Sequence, residues 1–64
     1  MQSKNKIKVR TLRFPITTEP LKVEEEVQRL ANELLKEPKT LSVDVLPCHN
    51  SYYFVYDFIV EVLQ

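Results

Sequence analysis

The segment Ser51-Tyr-Tyr-Phe-Val-Tyr-Asp-Phe-Ile-Val-Glu-Val-Leu-Gln64 is apolar at both parities, and that limits what the chain can fold into. Its even positions Tyr52, Phe54, Tyr56, Phe58, Val60 and Val62 carry no charge. Its odd positions Tyr53, Val55, Asp57, Ile59, Glu61 and Leu63 mix apolar side chains with two acids. The richness in aromatic and β-branched residues favours a strand over a helix. A strand apolar on both sides belongs in the middle of a sheet. We expect the even face to pack on a helix and the odd face to lie on the open side.

The rest of the chain supplies the partners. Ile7 and Val9 alternate with Lys6, Lys8 and Arg10, the period of a half-buried strand. The parity then changes to Leu12, Phe14 and Ile16, so a bulge is expected near Arg10–Arg13. Pro15 lacks a donor N–H and belongs at a sheet edge or outside the sheet. Thr17-Thr-Glu-Pro20 reads as a helix start, with Thr18 as N-cap. From Leu21 to about Glu37, residues Val23, Val27, Leu30, Ala31, Leu34 and Leu35 recur at helical spacing, and Pro38 ends the run. Glu24, Glu25 and Glu26 are expected near the positive end of the helix dipole and Lys36 near the negative end, with Glu25 and Arg29 as an i,i+4 pair. Thr40 to Leu46 alternates again, with Leu41, Val43 and Val45 on one face. Pro47-Cys-His-Asn-Ser51 then provides a turn.

The order is strand, helix, strand, strand. The helix crossover makes the first two strands parallel, and the hairpin makes the third antiparallel to the second. Seating the apolar third strand between the others gives an α+β fold. It is a β-α-β-β layer pair, a three-stranded antiparallel sheet of order 1-3-2 with one helix on one face. Residues 1–64 form a single small domain, with residues 1–5 read as a disordered tail.

Composition excludes several functions. The chain has no glycine, so phosphate-cradling loops of the P-loop or Rossmann kind are not available to it. A single cysteine allows no disulfide within the chain, and Cys48-His49 alone cannot complete a metal site. No cofactor is expected. The unpaired cysteine suits a reducing cytoplasm, and no stretch has the form of a signal peptide or a membrane span. Nine basic residues balance nine acidic ones. Chains of about 70 residues or fewer usually need a staple or a partner, and association is what remains here.

Three candidate sites follow. Leu46, Tyr53, Val55, Ile59 and Leu63 would share the open sheet face, and a contiguous apolar patch there marks an interface. The expected function is non-enzymatic protein–protein association, with self-association first among the partners. The alternative is nucleic-acid binding by Lys4, Lys6, Lys8, Arg10 and Arg13, with Tyr53 to stack on a base. Against it, Lys6, Lys8 and Arg10 can meet Asp57 and Glu61 as cross-strand pairs. Cys48-His49 could be an activated nucleophile, but no third group orients the base, and a turn role is the expected one.

The strand–helix–strand–strand layout and length are similar to those of the dodecins, small flavin-storing oligomers. That family stacks its flavins on tryptophan and this chain has none, so flavin binding is not carried over. Ile7-Lys-Val9 and Phe58-Ile-Val60 also resemble segments of small sporulation-associated bacterial proteins of this layout.

Overall fold

The computed structural model describes residues 4–63, and four elements make up the fold. They are β1 (Lys4–Pro15), α1 (Pro20–Leu35), β2 (Thr40–Pro47) and β3 (Tyr53–Leu63). The sheet order is β1-β3-β2, with β3 antiparallel to both neighbours and α1 packed over β2 and β3. The expected α+β architecture is the one observed. Of the expected tail, residues 1–3 lie outside the described residues, whereas Lys4 and Asn5 pair with Leu63 and Val62 in β1.

The core follows from the even face of β3. Phe58 is fully buried and Val60 nearly so, beneath Val23 and Leu30 of the helix. Register sets Val43 opposite Val60 and Val45 opposite Phe58, which completes that face from β2. Tyr52 departs from the expected pattern. It precedes β3 and is 74% exposed, because the hairpin loop has not yet entered the sheet there.

Two bulges set which side chains face the helix. In β1 the register shifts between Lys8 and Arg10, so the break falls at Val9, just ahead of the expected Arg10–Arg13. It keeps Ile7 opposite Val60 while bringing Leu12 and Phe14 opposite Tyr56 and Phe54, all on the helix side. In β2 the shift lies between Thr40 and Ser42, and Leu41 is extruded and exposed instead of joining Val43 and Val45. The preceding turn explains this. Thr40 N–H donates to Glu37 O at 3.0 Å and Leu63 N–H to Lys39 O at 3.1 Å, so the chain enters the sheet pinned one residue early.

The helix ends also differ from expectation. Glu19 is the N-cap residue, in extended conformation and without a side-chain cap bond, followed by Pro20. Thr18 instead donates its N–H to Pro15 O at 2.9 Å within the preceding turn. The helix stops at Leu35 because Glu37 precedes Pro38 and is steered away from helical geometry. Lys36 and Glu37 close the last turn by donating to Glu33 O and Leu34 O. No acid lies in the first turn, so Glu24–Glu26 sit a turn in from the positive end, whereas Lys36, the C-cap residue, stands at the negative end as expected. Arg29 pairs with Glu26 at 2.7 Å and Glu33 at 2.9 Å, not with Glu25. Its hydrogen bond to Glu26, then the charges of Glu26 and Glu33, raise the Arg29 pKa above its ordinary value.

Candidate functional site

Tyr53, Val55, Ile59 and Leu63 lie on one face of β3, on the opposite side from the helix, and Leu46 joins them from β2 opposite Asp57. All five expected interface residues therefore share a surface. Leu46 is 51% and Tyr53 38% exposed, and the other three are half-buried. The apolar spine is interrupted at Asp57 and Glu61. Thr11 Oγ1 donates to Asp57 Oδ1 at 2.7 Å across the β1–β3 ladder, so the acid's cross-strand partner is a hydroxyl and not a base.

The basic stretch is divided by the Val9 bulge. Lys6 and Lys8 stand opposite Glu61 and Ile59 on the open face, and Arg13 returns to that face opposite Val55. Arg10 stands opposite Phe58, the residue at the centre of the helix-side core. It is thus not in line with the lysines, and the expected pairing of Arg10 with an open-face acid is not made. Lys4 occupies the position opposite Leu63, and its side chain lies outside the described part of the structure. The Arg13 guanidinium sits 5.4 Å from the centre of the Tyr53 ring and covers the aromatic that stacking would need. The row Lys8–Ile59–Asp44 crosses the middle of the face with opposite charges at its two ends.

A second apolar strip was not foreseen. Ile7, 45% exposed and opposite Val60, lies on the β1 side of the helix face, and Val9 at the bulge close by is 42% exposed. The physical reason is width. A helix about 10 Å across covers two strands spaced about 4.8 Å apart, but not three.

The hairpin between β2 and β3 is built without glycine, and no residue among those described has positive φ. Side chains replace a tight turn. The Asn50 Oδ1 accepts the N–H groups of Tyr52 and Tyr53 at 2.8 and 2.9 Å. Cys48 N–H donates to Val55 O at 2.7 Å, and His49 Nδ1 accepts the Val55 N–H at 3.1 Å. The imidazole meets Phe54 and Tyr56 edge-on, with centroids 5.2 and 4.9 Å away. His49 is therefore a clamp on the start of β3, a role its distance in sequence from Val55 conceals. Cys48 is exposed and free.

These three rings form one wall of a groove of about 530 Å³. The other wall comes from the first half of α1, with Pro20, Val23, Glu24, Val27 and Gln28. Among the described residues, no group of three His, Cys, Asp or Glu is placed to hold a metal ion. No helix there is long and apolar enough to cross a membrane. No family model, curated protein or solved structure matches the chain.

Proposed function

We propose that this chain is a non-enzymatic protein that acts by self-association, two copies stacking the open faces of their sheets through Leu46, Tyr53, Val55, Ile59 and Leu63. The surface left uncovered carries the reading. The chain exposes 5012 Å², where a compact monomer of 7.6 kDa exposes about 4300 Å². That surplus belongs to the chain as a whole, and the open face, which no helix or strand covers, is an apolar part of it that a second copy would bury. Its radius of gyration of 13.2 Å also exceeds the roughly 11 Å of a compact chain of this length. A second sheet stacked about 10 Å away would supply the missing layer.

One arrangement pairs the charges at the sheet's two edges, while setting Asp57 and Glu61 of β3 each against its own copy. A two-fold axis along β3 would lay β1 of one copy over β2 of the other. The Lys8–Ile59–Asp44 row would then meet its own reverse, Lys8 across from Asp44 and Ile59 against Ile59. The exposed thiol of Cys48 suits a reducing, cytoplasmic setting for such an assembly.

Sedimentation equilibrium across a concentration series tests the proposal. The wild type should be a dimer. Leu46→Lys, at a position already half exposed and safe for the fold, should weaken it, and Ile59→Lys should abolish it by burying a charge. Ile7→Lys, on the helix side opposite Val60, should remain dimeric. A monomeric wild type, or dissociation by Ile7→Lys but not by Leu46→Lys, overturns the open-face assignment. Steep salt-dependent binding of DNA or RNA without self-association would favour Lys6, Lys8 and Arg13 as a phosphate-binding margin instead.

A further inference from the structure

The groove between α1 and the start of β3 lies on the helix side, away from the proposed association face, and it has a chemistry of its own. Its volume of about 530 Å³ falls within the roughly 300–1,000 Å³ of small-molecule sites. Val23 and Val27 give it an apolar side, and Phe54, Tyr56 and His49 an aromatic one. The rings hold one another edge-on, and the Val55 N–H fixes the imidazole through Nδ1, so the aromatic wall exists before any guest arrives.

The charged lining of the groove is acidic. Glu24 is the only charged side chain lining it, and neither lysine nor arginine contributes. Glu19 at the N-cap and Glu25 in the second turn add to it against Lys22, while Glu26 is paired with Arg29, so the acids offset the partial positive charge of the helix start. Aromatic faces are themselves negative and attract cations. An anion would meet the Glu24 carboxylate with no lysine or arginine in the lining to offset it. We propose that the groove binds a small organic cation with an apolar, ring-sized body, its charge toward Glu24 and its body against Val23, Val27 and the aromatic wall.

The test is a titration of the isotope-labelled full chain, followed by backbone amide shifts. Benzyltrimethylammonium is the cationic probe, benzyl alcohol the neutral one and benzoate the anionic one. The cation should give saturable shifts in residues 20–28 and 49–56, benzyl alcohol should bind more weakly, and benzoate should leave those amides unmoved. Glu24→Gln, an exposed change that spares the fold, should weaken the cation about five-fold, the range of a solvent-accessible ion pair. Tyr56→Leu keeps an apolar wall but removes a ring, and should weaken it by about the same factor. Equal binding of benzoate or benzyl alcohol overturns the proposal. So does undiminished cation affinity in Glu24→Gln, or shifts that fall outside the groove. Because the groove and the open face lie on opposite sides of the sheet, either assignment can fail without the other.

Discussion

Phe58→Ala isolates the contribution of the core. Phe58 is the one large side chain among the described residues that is fully buried, and only Val23, Leu30 and Val60 accompany it in the closed interior. Deleting a buried phenylalanine ring costs about 3–5 kcal/mol in lost transfer energy and residual cavity. Stability of about 0.05–0.15 kcal/mol per residue gives a chain of this length roughly 3–10 kcal/mol in total. The substitution should therefore remove between a third and all of it. In a domain this small each kcal/mol moves Tm by about 4–8 °C, so a fall of at least about 12 °C is expected. Urea unfolding followed by circular dichroism measures this directly, with both proteins at one concentration because association adds to apparent stability. Phe54→Ala supplies the internal standard. By parity alone the two phenylalanines are equivalent, but Phe54 is only half-buried against the groove and should lose about 1–2 kcal/mol. If Phe54→Ala proves as damaging as Phe58→Ala, or Phe58→Ala costs under about 1 kcal/mol, the core has been located wrongly.

His49→Ala should cost about 1–2 kcal/mol in urea unfolding, because the Val55 N–H loses its acceptor and two ring contacts disappear. Cys48→Ser should stay within about 0.5 kcal/mol, since Cys48 acts through its backbone N–H; equal losses in the two variants would refute the clamp. Thr11→Val should lower stability by about 1 kcal/mol through the missing hydrogen bond to Asp57, and an unchanged urea midpoint would mean that this bond adds nothing in solution.

What was legible in the chain was the part decided by many residues at once. The absence of charge from the even positions of β3, and the apolar residues among its odd ones, are enough to seat it centrally, and the stripe Val23, Val27, Leu30, Leu34 is enough to aim the helix at it. A bulge is decided by a single residue. In β1 the parity change between Val9 and Leu12 announces one and leaves its position open by a few residues. In β2 the pattern Leu41, Val43, Val45 is unbroken and announces none. There the backbone bonds of Lys39 and Thr40 to Leu63 and Glu37 outweigh the preference of one leucine for the core. The basic strand shows the consequence for function. Five cations within ten residues look like a stripe on paper, yet one extruded residue at Val9 takes Arg10 out of line with Lys8.

The same distinction between local pattern and distant contact governs the hairpin. Pro47-Cys-His-Asn-Ser51 reads as a turn because each residue type suits a turn locally, and Asn50 does serve that way, accepting two N–H groups within three residues. His49 reaches six residues ahead, and no rule about neighbours could anticipate that. Its position has a cause in the composition. Without glycine the left-handed turns that normally close a short hairpin are disfavoured, and no described residue adopts one, so the chain takes a wider path and leaves the Val55 N–H unmet by β2. An imidazole of the right length fills that gap and, in doing so, stands against Phe54 and Tyr56. The aromatic wall of the groove is thus a by-product of closing a hairpin without glycine. It follows that shortening the loop around an Asn-Gly turn should preserve the β2–β3 ladder while removing the ring that completes the groove.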